Sequence, residues 1–415
     1  MGKPTVISLY SGAGGLDYGF EAAGFRTAVA LEIDHDSCET LRRNRKWPVI
    51  ERSVFDVPSD ELLDTGNLKQ READVLIAGP PCQPFSKSGY WAKGDAGRLT
   101  DPRSDTLGAF MRVLEDALPR TFVLENVEGL AYSKKNEGLQ LLLERVQDIN
   151  RRTGSNYQPT FRVLKAADYG VPQMRGRFFM VASREGDVLR FPSPTHSANG
   201  SEANKTAIGS LAPHRTAWDA LADVELDADE DLAVRGKWAD LLPSIPEGEN
   251  YLWHTERGEG LPLFGWRRRY WSFLLKLAKN RPSWTVQAQP GPATGPFHWD
   301  NRRLSMRELC RLQTFPDDVV ICGGRTSVQK QVGNAVPSLL AEVLGRSIRK
   351  QLLGQRVQNR SFKLLPRDRA PAPSAAPAMP VAPKFLDLVG EHAAHPGTGR
   401  GYRAADRSRQ PESHP

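Results

Sequence analysis

The chain has 415 residues, with 56 Lys and Arg against 49 Asp and Glu, a formal charge of +7 and a pI near 9.2. That length accommodates a core-bearing domain, a second lobe and a tail, and the positive balance favours a polyanionic partner, nucleic acid first. Cys38, Cys82, Cys310 and Cys322 form no Cys-x-x-Cys pair and have no histidine spacing suited to zinc, so neither a disulfide framework nor a metal site is indicated. No apolar run approaches the ~20 residues that span a bilayer, and no signal segment precedes Thr5. A soluble, cytoplasmic protein is expected.

In chain order, Thr5 to Tyr10 is β-branched and apolar, Ser11 to Gly15 is glycine-rich, and Leu16 to Ala23 has helical spacing ending at Gly24. The pattern predicts strand, loop and helix. Such a loop lets backbone approach a ligand closely and aims free helix N–H groups at its polar end, although many similar turns merely close a βα unit. Thr27 to Leu31 predicts a second strand with Glu32 at its end, Asp34 to Arg45 a helix, and Val54 and Phe55 an extended segment ending at Asp56. Carboxylates at successive strand ends line one edge of a parallel sheet. There, an acid about twenty positions past the glycines suits a ribose diol, and one a strand further on can accept from an adenine amine. Asp34 and Asp56 also fit as helix caps.

The apolar run Asp74 to Ala78 predicts a buried strand leading into Gly79-Pro-Pro-Cys-Gln-Pro-Phe-Ser86. Two prolines and a glycine lift the backbone out of the sheet just where the Cys82 thiol falls, which argues against a buried free thiol. Lys87 to Arg103 is too long for an ordinary βα link and reads as a lid or a disordered loop. A helix over Asp105 to Ala117 and a strand over Thr121 to Leu124 then bring Glu125 to the same edge. Glu125 is either a solvated or capping carboxylate or a raised-pKa acid beside a nucleophile.

Glu137 to Thr153 predicts an amphipathic helix, with strands at Phe161 to Leu164 and Phe178 to Ala182. Between the strands, Gln173, Arg175 and Arg177 alternate and would share one face of an extended segment. Such faces are usually solvated, but these side chains also hold phosphates and base edges. Composition shifts near Phe191, and seven of the nine tryptophans fall between Trp218 and Trp299. Arg267, Arg268 and Arg269 lie between Trp266 and Tyr270 at the start of a predicted helix ending near Lys279. That stretch fits phosphate contact with stacking, and equally a plain amphipathic helix. Ser305 with Glu308 predicts a capping box, and Val332 to Pro337 leads into a last helix, Ser338 to Leu353. Beyond Leu365, Pro, Ala and Arg dominate, predicting a disordered tail with a possible docking segment at Phe385 to Val389.

Taken together these motifs resemble the DNA cytosine-5 methyltransferases: Tyr10 to Gly15, Glu32, Asp56, Gly79 to Ser86, Glu125 to Val127, Gln173-x-Arg-x-Arg177, Arg303 to Pro316 and Gln331 to Pro337 stand in that family's order. The resemblance implies a Rossmann-like α/β fold dependent on S-adenosylmethionine, with a mixed, mostly parallel sheet and a second, smaller target-recognition domain. Residues 1–190 would be catalytic and cofactor-binding, 191–301 the recognition region, 302–354 a return segment completing the small domain and the cofactor pocket, and 355–415 the tail.

For the cofactor, the resemblance implies that Tyr10 stacks on the adenine while Ser11, Gly12, Ala13, Gly14, Gly15 and Leu16 lie against the methionine part. Glu32, with Ile33, would hold the ribose, and Asp56, with Val57, the adenine amine. Pro81, Asn334 and Val336 would close the pocket. Cys82 would add to C6 of a flipped-out cytosine, Glu125 would bind N3 and the exocyclic amine, Arg175 would favour the thiolate and contact O2, and Arg177 would organise the pocket. Ser86, Gln173 and Arg267 to Arg269 are the DNA contacts implied or suggested. The expected partners are double-stranded DNA and a cognate restriction endonuclease, for a monomer without metal. A transfer-RNA cytosine methyltransferase would carry a Cys-Phe-Thr signature, absent here; a catalytically inactive relative would lack Cys82, Glu125 or the glycine loop, all present. A nicotinamide oxidoreductase would not explain Cys82 facing Glu125, and the loop lacks the G-x-G-x-x-G order.

Overall fold

Five parallel strands begin the sheet: β1 (Thr5–Leu9), β2 (Arg26–Glu32), β3 (Val49–Glu51), β4 (Val75–Ala78) and β5 (Thr121–Val127). After β6 (Thr160–Lys165) and the two-residue β7 (Gln173–Met174), β8 (Gly176–Ser183) pairs antiparallel with both β5 and β6. The resulting order is β3-β2-β1-β4-β5-β8-β6. The computed structural model describes residues 2–81, 106–132, 137–198, 211–266, 270–358 and 360–392. By contacts the chain divides into a larger unit, residues 1–230, 280–289 and 305–372, and a smaller one, residues 231–279, 290–304 and 373–415.

In the larger unit both sheet faces are covered, which is why β4 reads as an unbroken apolar run. Val6, Val75, Ile77, Val123 and Val181 pack with Leu16 and Phe20 of α1 (Gly15–Ala22). On the opposite face Ile7, Leu76, Phe122 and Leu124 meet the later helices, after α2 (His35–Asn44) and α3 (Ser59–Thr65). These are Phe110 and Leu114 of α4 (Thr106–Ala117) and Leu142 and Val146 of α5 (Glu137–Thr153). The alternation of apolar side chains between the two clusters is the period-2 signature of a strand. The chain returns through α6 (Met306–Leu312), α7 (Arg325–Asn334) and α8 (Ser338–Gln351). Ser305 and Glu308 form the expected capping box at α6. Helix α8 packs on α1, where a Cβ on Gly19 would lie 2.3 Å from the Ser338 carbonyl oxygen. No residue other than glycine fits that contact.

Three elements differ from expectation. Val54–Asp56 is a 3-10 turn rather than a strand, because the Ser53 hydroxyl accepts from the Phe55 N–H and starts a turn. The stretch after Trp271 is not helical. Leu274 has φ +52°, and Leu274 to Leu277 are buried consecutively, which no one-sided helix allows. Instead Phe273 and Lys276 bridge to Thr294 and Phe297. The tail, expected to be disordered, is held in place as far as residue 392. In the larger unit the Glu342 carboxylate accepts from the N–H groups of Lys363 and Leu364 at 2.9 and 3.0 Å, and Phe385 is buried in the smaller unit.

The smaller unit is built on aromatic packing. Leu241, Leu242, Ile245, Leu263, Leu274 and Phe297 form its core, with Trp238, Phe264 and Phe273 against it. Residues 191–230 and 280–289, expected in the recognition region, belong to the larger unit.

Candidate active site

The carboxyl ends of β1, β2, β4 and β5 share one edge, and the strand order reverses between β1 and β4. Open α/β sheets bind ligands at such a switch point. A cavity of about 700 Å³ lies there, lined by Tyr10 to Ala13, Gly15, Leu16, Glu32, Ile33, Gly79 to Pro81, Glu125 to Val127, Arg177 and Asn334 to Val336. Its size suits a nucleoside-sized ligand.

One half of the cavity is backbone and carboxylate. Tyr10 leaves β1 with φ +55°, a conformation costing a non-glycine residue about 1 kcal/mol, and its hydroxyl donates to the Thr106 carbonyl at 2.7 Å. The Glu32 carboxylate accepts from the N–H groups of Gly12 at 2.7 Å, Ile33 at 2.8 Å and Asp34 at 2.9 Å. Three donors fix its orientation and leave acceptor capacity on the cavity side of the carboxylate for a ligand's hydroxyls. Gly12 has φ +53° and open space where a Cβ would stand. Gly14, at φ +84°, is the turn residue itself, with Leu41 and Tyr18 behind it. Below the loop, Asp17 is fully buried and accepts from the Ser8 hydroxyl at 3.1 Å, while Ser8 and Ser11 share a hydrogen bond of 2.8 Å. Burial pushes the Asp17 pKa up to about 7.

The other half is charged. Glu125 is 8% exposed at the end of β5, and Arg177 Nε lies 2.9 Å from its Oε1. The pairing follows from register, since β8 runs antiparallel to β5 with Val127 opposite Arg177. Burial raises the Glu125 pKa, and Arg177 and then Arg175 oppose it. The carboxyl can therefore exchange a proton nearer neutrality than a solvated glutamate. Asn126 Nδ2 donates to the Pro80 carbonyl at 3.3 Å, tying the turn after β4 to β5. A Cβ on Gly79 would stand 3.1 Å from Glu125 Oε2. The strand that leads to Cys82 thus ends against the buried acid.

A family model described as C-5 cytosine-specific DNA methylase matches residues 4–350. The chain belongs to this family. It is 40% identical over 372 residues to the Type II methyltransferase M.SacI of Streptomyces achromogenes, covering 84% of this chain and 93% of that one. It is 32% identical over 352 residues to M.NgoFVII of Neisseria gonorrhoeae, covering 83% and 86%. Among solved structures the fold resembles a prophage-encoded DNA modification methyltransferase of E. coli, with TM-score 0.59 and 20% identity over 85% of this chain and 100% of that one. A Spodoptera frugiperda DNMT2 mutant has TM-score 0.57 and 15% identity, with the same coverage. As a cytosine-5 methylase the protein transfers methyl from S-adenosylmethionine to C5 of cytosine in DNA through a covalent adduct. The cavity fits that donor on its own chemistry, offering Glu32 for a ribose diol and open glycine backbone at the amino end of α1 for a carboxylate. Among the described residues, no group of three or more His, Cys, Asp and Glu could hold a metal.

The methylase places the two arginines of its Gln-x-Arg-x-Arg motif differently. Arg177 faces Glu125. Arg175, 2% exposed, donates to the carbonyls of Val286 at 3.0 Å and Gly333 at 2.6 Å, and burial pulls its pKa well below the usual arginine value. Gln173 is fully buried, donating to the Leu312 carbonyl and Gln313 Oε1 and accepting from the Val286 N–H at 3.1 Å. Expected at the DNA, it instead joins β7, the end of α6 and residue 286. The segment does not alternate regularly, because the Arg175 N–H turns back to the Gln173 carbonyl at 3.0 Å. Asp56 is exposed and Val57 buried, and neither lines the cavity. The early turn at Ser53 moves Asp56 out of the strand-end position expected for an adenine contact. Cys82, Ser86, the loop Lys87 to Arg103 and Arg267 to Arg269 lie outside the described residues.

Two features escaped the sequence reading. Lys330 lines the cavity and pairs with Asp34 at 2.6 Å; its spacing of four from Asn334 puts both on one face of α7. A second cavity of about 490 Å³ is lined by Thr285 to Gln289 with Arg175, Arg177, Lys330, Gly333 and Asn334. The β-branched Thr285 and Val286 follow a two-residue strand, β9 (Ser283–Trp284), which pairs with β7. Hidden in a tryptophan-rich region, that short strand gives little periodic signal.

Proposed function

We propose that this methylase modifies cytosine within a specific double-stranded DNA sequence as the protective partner of a restriction endonuclease, acting as a cytoplasmic monomer without metal. The names of its Type II relatives support the assignment, and the observation that carries the residue roles is the buried Glu125–Arg177 pair against the strand that leads to Cys82. Cys82 attacks C6 of the extruded base, making C5 enamine-like. Glu125, held by Arg177, hydrogen-bonds N3 and the exocyclic amine and delivers a proton to N3 as the adduct forms. Bound S-adenosylmethionine supplies an electrophilic methyl group. Loss of the C5 proton to a water-mediated base then expels the Cys82 thiolate, and N3 returns its proton to Glu125, leaving neutral 5-methylcytosine.

Arg177 replaces Arg175 as the guanidinium facing the reacting base, because Arg175 is committed to two backbone carbonyls. Glu32 takes the ribose hydroxyls, Tyr10 stacks on the adenine beside Ile33, and Asn334 and Val336 close the pocket. Ser86 and Arg267 to Arg269 contact DNA, and the smaller unit selects the sequence. Bisulfite sequencing of plasmid from cells expressing the protein tests this reading. The expected result is complete methylation at one short sequence, abolished by Cys82→Ser. Scattered or absent 5-methylcytosine would remove the DNA-sequence assignment, and normal methylation by the serine variant would remove the mechanism.

A further inference from the structure

The family match ends at residue 350, yet the smaller unit draws part of its core from well beyond that point. Phe385 is 3% exposed and clusters with Leu241, Leu242 and Ile245. Its ring stacks on Trp238 with centroids 5.7 Å apart and planes at 18°. The backbone on either side is fastened: the Met379 N–H donates to the Pro243 carbonyl at 3.0 Å and the Gly390 N–H to the Pro262 carbonyl at 3.2 Å. Lys384 pairs with Asp240. Further along, Leu388 and His392 supply one wall of a cavity of about 400 Å³ whose other walls include Trp238, Tyr251, Phe264 and Tyr270.

A buried aromatic ring is not an accessory contact, because its removal leaves a void in a core packed at crystal-like density. The void would fall beside Trp238, which both stacks on Phe385 and lines the cavity. We infer that the C-terminal extension is a working part of the smaller unit, in which Phe385 positions Trp238 and the aromatic cavity and so sets the unit's grip on DNA. The DNA consequence rests on the reading of this unit as the one that selects sequence. Phe385 is a positioning residue and touches no reacting group.

The test uses the full-length protein, its Phe385→Ala and Phe385→Leu variants, and a chain ending at Ala372. Hydrogen exchange over residues 238–264, steady-state constants for DNA and S-adenosylmethionine, and bisulfite sequencing of a randomised DNA library are compared. Phe385→Ala is expected to speed exchange in that region and to raise KM for DNA about tenfold, leaving kcat and KM for S-adenosylmethionine unchanged. Phe385→Leu should restore most of the DNA affinity by refilling the void. Unchanged exchange in both Phe385→Ala and the shortened chain would overturn the inference. Faster exchange with unchanged DNA constants and an unchanged methylated sequence would leave the packing standing and overturn the reading of the smaller unit. A rise in KM for S-adenosylmethionine as well would show general destabilisation and also count against a positioning role.

Discussion

The larger and smaller units solve the problem of holding functional groups in opposite ways. In the larger, Tyr10, Glu32 and Glu125 stand at the ends of strands buried on both faces, so the sheet fixes their spacing. In the smaller, the described segments are short turns and isolated bridges around aromatic side chains, and geometry depends on ring packing. Strand ends suit chemistry that tolerates little displacement. Loops on an aromatic core suit recognition, because their sequence can change without disturbing a ladder.

The comparison is tested most severely at Glu125. Glu125→Gln keeps the shape and removes the proton, so kcat should fall by about 10²–10⁴ with affinity for S-adenosylhomocysteine unchanged by calorimetry. The set of sequences still methylated on prolonged incubation should be the same as in the parent. A changed sequence preference would mean that the sheet edge also reads DNA.

Arg175 and Arg177 separate support from chemistry within the larger unit. Arg175→Met removes charged donors from two carbonyls in the protein interior, at a cost of about 3 kcal/mol in stability, measurable by denaturant unfolding with tryptophan fluorescence. Arg177→Met should cost less stability and more kcat, because it leaves Glu125 buried without the guanidinium that opposes its raised pKa. Equal effects of the two on unfolding would remove the distinction.

How much of this was legible in the sequence follows the same division. Strand β4, helix α5 and the α6 cap could be read directly, because burial on two faces, a 3.6-residue period and a serine followed by glutamate each leave a local trace. The strand ends at Glu32 and Glu125 followed from the apolar runs before them, Thr27 to Leu31 and Thr121 to Leu124. Which arginine meets Glu125 was not legible. Alternation put Arg175 and Arg177 on one face, but a turn at residue 175 and the antiparallel register of β8 send them to different partners. The helical stretch expected to end near Lys279 is not formed after Trp271 for a related reason, since apolar residues packed from several sides have no period. The tail misled by composition except at Phe385 to Val389, the apolar segment that stood out as a docking element; which core Phe385 fills only tertiary contact reveals.

One buried ionisable group in each unit makes stability respond to pH in the opposite sense. Asp17, in the larger unit, has its pKa raised to about 7 by burial, against the hydrogen bonds from Ser8 and Thr27 and with Glu21 reinforcing the rise. The folded state then holds a proton the unfolded chain has lost between about pH 4 and pH 7. Its contribution is complete below the unfolded pKa and declines as pH rises through that window, by up to ~4 kcal/mol. Lys276, in the smaller unit, is 3% exposed and donates to the Ile245 carbonyl. Burial lowers its pKa to about 8, with Glu247 opposing. Here the unfolded chain binds more protons between about pH 8 and 10.5, so stability rises with pH across that range, by up to ~3 kcal/mol. In the larger unit burial also lowers the His196 pKa to about 4, which offsets Asp17 within the first window, so hydrogen exchange is compared between parent and variant. Asp17→Asn should change the slope only in the larger unit and only in the first window, and Lys276→Met only in the smaller unit and only in the second. A change felt equally in both units would mean that they unfold together.

The smallest expected effect lies at Lys330. Its ammonium pairs with Asp34 at 2.6 Å, and Asp34 also caps α2 by accepting from the Ser37 N–H at 3.1 Å. Nearly half of the lysine side chain is exposed, so solvent screens the pair and Lys330→Ala should change stability by less than about 1 kcal/mol. Lys330 nevertheless lines both the cavity of about 700 Å³ and the one of about 490 Å³. Loss of its charge should therefore weaken DNA or S-adenosylmethionine binding about two- to fivefold at low salt, with the difference vanishing near 0.5 M salt as screening removes the field. A loss that persisted at high salt would show that Lys330 acts by shape, through packing on α7, and that this edge of the larger unit is held like the core of the smaller one.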